Sequence, residues 1–288
     1  MVTMLLLIDA GNTRIKWAMI EPTRHRFSGL EDWYAQGVVT HDQANQLATQ
    51  WLDHNADVLV KSVLISNVAG SVIQDALITQ VQRAKINMSA VEWFKSTALV
   101  GGVRNLYRNP SQLGCDRLAA LVGAKALLPG QAVIVASCGT ATTIDALTAE
   151  GDFIGGLILP GLGVMANTLR QHTAQLPSIP ALEKSQQSQP PQQHPEPLDE
   201  NSFALFADNT QDAIRNGCIA AQASAIERAM NRHQAAHCVL AGGAAGWIAP
   251  HLKGPVIQVN NLVLIGLRVA AFGEAVVARK DPIQPAKC

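Results

Sequence analysis

The stretches LLLIDAGNTRIKWAM (residues 5–19) and VIVASCGTATTIDAL (residues 133–147) read as one theme written twice. Each has an apolar run ending in a glycine turn and a second run whose large side chains alternate with small or polar ones. That pattern predicts strand, tight turn, strand. Gly11-Asn12-Thr13 and Gly139-Thr140-Ala141 occupy corresponding turns, so the pair implies a degenerate internal duplication and two similar half-molecules.

Outward from the first copy, a helical pattern is expected near 43–53, an interior strand at 58–66, a helix near 71–83 and a short strand through Glu92 and Trp93. Outward from the second, a helix at 114–128 precedes the repeated turn, and FIGGLILPG (153–161) follows as a strand. A long helix from about Asp208 to His233, a strand at HCVLAGG (237–243), another over 256–259 and a final helix after Asn260 complete the series. Strands alternating with helices at this spacing predict an α/β chain. Its boundary falls in the turn-rich GGVRNLYRNPSQLG, giving an N-terminal lobe over 1–112 and a C-terminal lobe over 113–288. Residues 183–200, EKSQQSQPPQQHPEPLDE, offer few large apolar side chains and read as an exposed, flexible insertion inside the second lobe.

The chain has 288 residues, and a working domain length of about 150 residues suggests two domains. Its 22 basic and 22 acidic residues cancel, so no net charge draws it toward nucleic acid or anionic lipid. Asp9 breaks the apolar opening and charges interrupt the later apolar runs, which excludes a membrane span as a reading. Five scattered cysteines without a C-x-x-C pair suit a reducing cytoplasm.

A glycine turn lets backbone N–H groups approach phosphate oxygens, and a neighbouring hydroxyl adds a donor. Asp9 to Thr13 has this composition, and Arg14 and Lys16 share a strand face from which a cation could balance phosphate charge. The same residues also suit an ordinary hairpin with a buried aspartate. Neither turn carries G-x-x-x-x-G-K-[ST] or a G-x-G-x-x-G fingerprint. Ala241-Gly242-Gly243-Ala244 is a third glycine turn, suited either to a nucleoside or to a strand-to-helix corner.

Phosphoryl transfer to an alcohol needs Mg²⁺, charge compensation and a carboxylate that receives the hydroxyl proton. Asp116, at a helix start after Gly114 and before Arg117, is the candidate base; helix capping is the competing role. Asp9 or Asp145, at strand ends, could place Mg²⁺. The histidines and cysteines form no zinc-like spacing, and Cys138 lacks an activating partner.

Together DAGNTRIKWA (9–18), NPSQLGCDR (109–117) and GTATTID (139–145) closely resemble the type III pantothenate kinases, including their Bvg accessory factor-like branch. The order continues through GGLILPG (155–161), HTAQLP (172–177), DNTQDAIRNG (208–217), AGGAA (241–245) and NLVLIGL (261–267). The resemblance implies duplicated ribonuclease-H-like domains of the acetate and sugar kinase/heat-shock ATPase/actin superfamily, with ATP in the cleft. It further implies a cytoplasmic homodimer that phosphorylates pantothenate to 4′-phosphopantothenate, the first step toward coenzyme A.

Carried over by motif, Asp9, Ala10, Gly11, Asn12, Thr13, Arg14, Ile15 and Lys16 form the first nucleotide segment and Gly139 and Thr140 the second. Asp116 is the general base. Tyr107, Gly114, Cys115, Asp116, Arg117 and Thr210 contact pantothenate, Thr210 in a neighbouring subunit's site. Asp9 organises Mg²⁺, and Gly155, Gly156, Pro160 and Gly161 shape the wall near the substrate. Ser137 stands where many members have an Asp that serves a monovalent cation, K⁺ or NH₄⁺. A neutral hydroxyl there implies a weaker, shifted or carbonyl-built site. A kinase for another small alcohol and a nonenzymatic ATP-binding regulator remain alternative readings of the same turns.

Overall fold

The computed structural model describes residues 2–22, 30–53, 58–173, 176–177 and 205–272; the 183–200 insertion lies outside them. Two compact units are present. Unit 1 comprises residues 1–130, 151–154 and 261–288, and unit 2 comprises 131–150 and 155–260.

Unit 1 opens with β1 (Val2–Ala10) and β2 (Arg14–Ile20), antiparallel with Asp9 opposite Lys16. β3 (Ala35–Thr40) pairs antiparallel with β2. After a 3₁₀ turn (His41–Gln46) and α1 (Leu47–Asp53), β4 (Val58–Asn67) returns parallel to β1. α2 (Ser71–Arg83) then leads to β5 (Val91–Trp93), parallel to β4, and the sheet order is β3-β2-β1-β4-β5. Strand alternation sends Met4, Leu6, Ile8 and Ala10 of β1 to one face, where they join Trp17, Leu47, Trp51, Leu77 and Val81 in a buried cluster. The helix expected over 43–53 is thus two pieces. Its first turn is 3₁₀, begun by a capping box in which Thr40 and Gln43 satisfy each other's backbone.

Two strands that the sequence pattern did not disclose stand at the start of the turn-rich boundary segment, β6 (Leu99–Val100) just before it and β7 (Val103–Asn105) within it. They form a hairpin through Gly101 and Gly102, both at positive φ, which a Cβ would strain. Runs of two and three residues are too short to carry a readable alternation. β7 pairs parallel with the first residues of β10 (Asp152–Pro160), Asp152 and Phe153.

Helix α3 (Cys115–Leu127) also belongs to unit 1, as does α7 (Leu262–Phe272). Two glycines bring these helices together backbone to backbone. A Cβ on Gly266 would lie 1.7 Å from the Ala119 carbonyl, and one on Gly123 would lie 2.6 Å from the Leu262 carbonyl. This crossing draws α3 and α7 into unit 1, so the compact units divide the chain differently from a cut at 112/113.

Unit 2 repeats the plan. β8 (Val133–Cys138) and β9 (Ala141–Leu147) are an antiparallel pair with Ser137 opposite Thr143. β10 follows, then α4 (Leu162–His172) and α5 (Thr210–His233). β11 (His237–Ala241) runs parallel to β8, and after α6 (Ala245–Ile248), β12 (Val256–Gln258) runs parallel to β11. The order β12-β11-β8-β9-β10 matches that of the first sheet read from its other edge, with third, second, first, fourth and fifth strands in equivalent places. The duplication read from two turns is therefore present in the topology. Ile134, Ala136, Cys138 and Ile144 pack on α5 through Cys218, Ile219, Ala223 and Ile226. Within that core Gln222 is fully buried, accepting from Thr142 Oγ1 at 2.9 Å and donating to the Pro160 carbonyl at 2.8 Å.

Candidate active site

The first turn is built by β1 and β2. Gly11 N–H donates to the Arg14 carbonyl at 3.0 Å, closing it, and Val68 N–H donates to the Ala10 carbonyl at 3.0 Å. Ala10 and Ile15 are wholly buried and offer the site only their backbone. Gly11, Thr13, Arg14 and Lys16 are half-buried and Asn12 is exposed. Asp9, next to last in β1, has partial solvent access but protein around its carboxyl. Burial pushes that carboxyl up to about 7; Lys16 opposes the rise and Asp116 adds to it. Burial in turn lowers the Lys16 ammonium, with Asp9 acting against the shift.

The folded chain therefore holds a proton on Asp9 at pH values where the unfolded chain, with a carboxyl near 3.8, has lost it. The native state binds more protons across this window, so the contribution to stability falls as pH rises from about 4 to 7 and stays low above it. Asp9→Asn removes the titration. In ligand-free thermal melts the melting temperature of the variant relative to wild type should rise from pH 5 to pH 8; a constant difference would show that Asp9 is not perturbed.

Asp116 sits in the first turn of α3, two residues after its N-cap Gly114. Its Oδ1 accepts from the Arg117 N–H at 2.8 Å. Burial holds the carboxyl above the ordinary range, against that hydrogen bond and the charge of Arg117. A Cβ on Gly114 would stand 2.6 Å from Asp116 Oδ1, so glycine leaves room for the carboxylate. The Asp9 carboxyl, next to last in β1, feels the charge of Asp116 in the first turn of α3. A carboxylate with raised proton affinity suits a base that must take a hydroxyl proton.

Arg117 is buried, with 8% of its surface exposed. Its Nη2 donates to Tyr107 Oη at 3.3 Å, and its guanidinium lies 5.8 Å from the Tyr107 ring centre and 5.9 Å from that of Phe153. Tyr107 and Phe153 meet at 5.0 Å. Two residues expected to contact substrate are thus brought together, and Phe153 joins them unannounced: in sequence it is one more apolar residue of a strand. Cys115 contacts Ser66 Oγ through its sulfur at 3.3 Å and donates to the Asn67 carbonyl at 3.6 Å. It borders a cavity of about 590 Å³ lined by Asn67, Trp93, Ser96, Ser111 and Leu113, outside the carboxyl ends of β4 and β5.

In unit 2, three glycine-containing turns close on one another. Gly139 N–H donates to the Ala141 carbonyl at 3.0 Å, and Gly161 N–H to the Thr140 carbonyl at 2.9 Å. Gly242, at φ +95°, packs so that a Cβ would lie 2.3 Å from the Cys138 carbonyl, which also accepts from Ala244 N–H at 3.0 Å. Ser137 is half-buried at the end of β8, and on the same face Thr143 Oγ1 is buried with no partner. Asp145 is buried in β9 opposite Val135. Thr210 is the exposed first residue of α5 and lines an apolar cavity with Leu169, Ala213 and Ile214. No group of three or more His, Cys, Asp or Glu able to hold a metal occurs among the described residues.

The repeated five-stranded plan defines a protein of the duplicated ribonuclease-H-like class. Solved structures agree on the fold: a Campylobacter jejuni protein described as a Baf family transcriptional activator superposes with a TM-score of 0.52 at 18% identity, covering 91% of this chain and 95% of that one. A Sinorhizobium meliloti protein described as a 2-dehydro-3-deoxygalactonokinase gives 0.50 at 13% identity, covering 93% and 98%.

The chain belongs to the type III pantothenate kinase family, whose model matches residues 5–232. The type III pantothenate kinase of Herminiimonas arsenicoxydans is 48% identical over 278 residues, 93% of this chain and 98% of its own length. That of Janthinobacterium sp. (strain Marseille) is 47% identical over 280 residues, with the same coverage. Membership makes the chain an ATP-dependent kinase and does not favour the nonenzymatic reading.

Proposed function

We propose that the protein transfers the γ-phosphoryl group of ATP to the 4′-hydroxyl of pantothenate, the first step toward coenzyme A. The observation that carries this is the half-buried Asp116 carboxyl in the first turn of α3, its Oδ1 held by the Arg117 N–H at 2.8 Å and its proton affinity raised by burial, with its charge felt at Asp9 ahead of the first glycine turn. Asp116 takes the hydroxyl proton as the oxygen attacks the γ-phosphorus, and the bond to the β-phosphate oxygen breaks to release ADP. Backbone donors of the 9–16 and 139–140 turns bind the phosphates, and Lys16 supplies positive charge. Tyr107 and Arg117 hold pantothenate; Gly114 and Cys115 line its path toward the cavity that Cys115 borders. The lobes 1–112 and 113–288 are proposed as the two copies of the ancestral repeat.

Mg²⁺ usually keeps several waters and takes one or two carboxylates plus substrate phosphates, and Asp9, a carboxylate whose burial a cation would offset, fits that habit. For a monovalent cation, Ser137 and the unpartnered Thr143 Oγ1 supply neutral oxygens on one face. Oxygen donors without charge suit K⁺ or NH₄⁺. A homodimer is proposed because Leu157, Ile158 and Phe206 are large and exposed, Phe206 at 87%. Thr210 would then serve the partner's substrate site. Among the described residues the thiols of Cys115, Cys138, Cys218 and Cys238 are free, which accords with a cytoplasmic location.

Purified protein with ATP, Mg²⁺ and pantothenate should yield a product heavier than pantothenate by one phosphoryl group, faster in K⁺ or NH₄⁺ than in Na⁺. ATP turnover with other small alcohols but not with pantothenate would overturn the acceptor. Equal rates in the three salts would remove the monovalent cation.

A further inference from the structure

His41 lies outside every motif that describes the site, yet its side chain reaches the first glycine turn. Its Nε2 stands 2.8 Å from the Gly11 carbonyl, across 30 residues of sequence. A carbonyl only accepts, so the ring nitrogen is the donor. We propose that His41 is a positioning residue for nucleotide binding: by holding the Gly11 carbonyl it fixes the Gly11–Asn12 peptide with the Asn12 N–H turned toward the phosphates. The inference rests on the reading of residues 9–16 as a phosphate-binding segment.

The physical reason lies in the peptide unit. Among the described residues no peptide bond is cis. In a trans peptide the C=O and the following N–H point in opposite directions, so anchoring one aims the other. The preceding peptide, Ala10–Gly11, is already held at both ends: its N–H donates to the Arg14 carbonyl and its carbonyl accepts from the Val68 N–H. His41 adds the hold on the peptide at the tip, next to a glycine whose backbone is otherwise the most permissive in the turn. Its own place is set by the 3₁₀ segment it begins, where Gln43 Oε1 accepts from Thr40 N–H at 3.4 Å.

The internal repeat supplies a second, independent observation. In unit 2 the equivalent turn is tethered by Gly161, whose N–H donates to the Thr140 carbonyl at 2.9 Å. Gly161 is the first residue after β10, the third strand of its sheet; His41 is the first residue after β3, the third strand of the other. Both copies therefore restrain a carbonyl of their glycine turn from the residue that follows the third strand. Unit 2 does it with a backbone N–H and unit 1 with an imidazole.

The test measures binding of a nonhydrolysable ATP analogue by calorimetry, together with KM for ATP and for pantothenate, in His41→Ala, His41→Gln and Lys16→Ala. Losing one hydrogen bond should weaken nucleotide binding about three- to tenfold in His41→Ala, with KM for pantothenate unchanged. The Gln side chain places an N–H donor near the position of Nε2, so His41→Gln should bind nucleotide within about twofold of wild type, by the same hydrogen-bond argument. If Lys16→Ala weakens nucleotide binding and His41→Ala does not, the role of His41 is overturned while the turn keeps its function. If neither variant weakens it, the phosphate-binding reading of the turn fails and the inference falls with it. Equal losses for both substrates, or equal losses in the Ala and Gln variants, would show a general structural role and overturn positioning.

Discussion

Asp116→Asn should lower kcat about 100- to 10,000-fold while leaving the circular dichroism spectrum and the melting temperature close to wild type. The amide has nearly the carboxylate's shape, and its oxygen can still accept from the Arg117 N–H, the bond that Asp116 Oδ1 makes at 2.8 Å. Gly114 leaves the same space for it. The amide cannot take the hydroxyl proton at neutral pH. Removing a charge that burial opposes does not destabilise the helix start, because burial is the largest influence on Asp116 and acts against its ionised form. Steady-state kinetics with pantothenate and ATP, beside calorimetric nucleotide binding, would check the assignment. Nucleotide affinity should survive. If turnover stays within threefold of wild type, Asp116 only caps α3 and the base lies elsewhere.

Gly161→Ala should weaken nucleotide binding about tenfold or more and cost on the order of 1–3 kcal/mol of stability, the usual range for forcing atoms into a filled site. The backbone of Gly161 is extended, at φ −66° and ψ 166°, so conformation is not the obstacle. Space is: the new Cβ would lie 2.0 Å from the Gly139 carbonyl and 2.7 Å from that of Thr140. Both are backbone atoms of the glycine turn between β8 and β9 and cannot swing aside as a side chain could. Relief requires the turn to move, which breaks the bond from Gly161 N–H to the Thr140 carbonyl. Gly246→Ala is the matching control, since nothing lies within 4 Å of its added Cβ. Thermal melts and nucleotide titrations of the two variants should diverge; equal behaviour would mean that the second turn does not depend on its close contact with Gly161.

Local signals in the chain were strong where the physics is local. The alternation in RIKWAMI, the apolar runs ahead of Asp9 and Ser137, and the glycine turns read directly as β1–β2 and β8–β9. The 71–83 helix and the Val91–Trp93 strand were equally legible. The hairpin of β6 and β7 was not, because its strands are shorter than a period of the pattern. Nor could the pattern show that the helix after Gly114 packs with α7. That depends on Gly123 and Gly266, two small residues more than 140 positions apart, permitting backbone contact.

By itself the sequence determined the duplicated α/β plan, the two glycine turns with their flanking cations and hydroxyls, the carboxylate at the start of α3, and the family. These follow from residue type and short spacing. Tertiary structure alone decided what surrounds them. Phe153 completes the Tyr107–Arg117 cluster, Ser66 meets Cys115, and Gly161 and Gly242 press on the second turn. His41 reaches Gly11, and burial lifts Asp9 to about 7. Each of these depends on strands and helices distant in the chain being brought to one end of a sheet, and hydrogen bonding and desolvation act on atoms near in space, whatever their separation along the backbone.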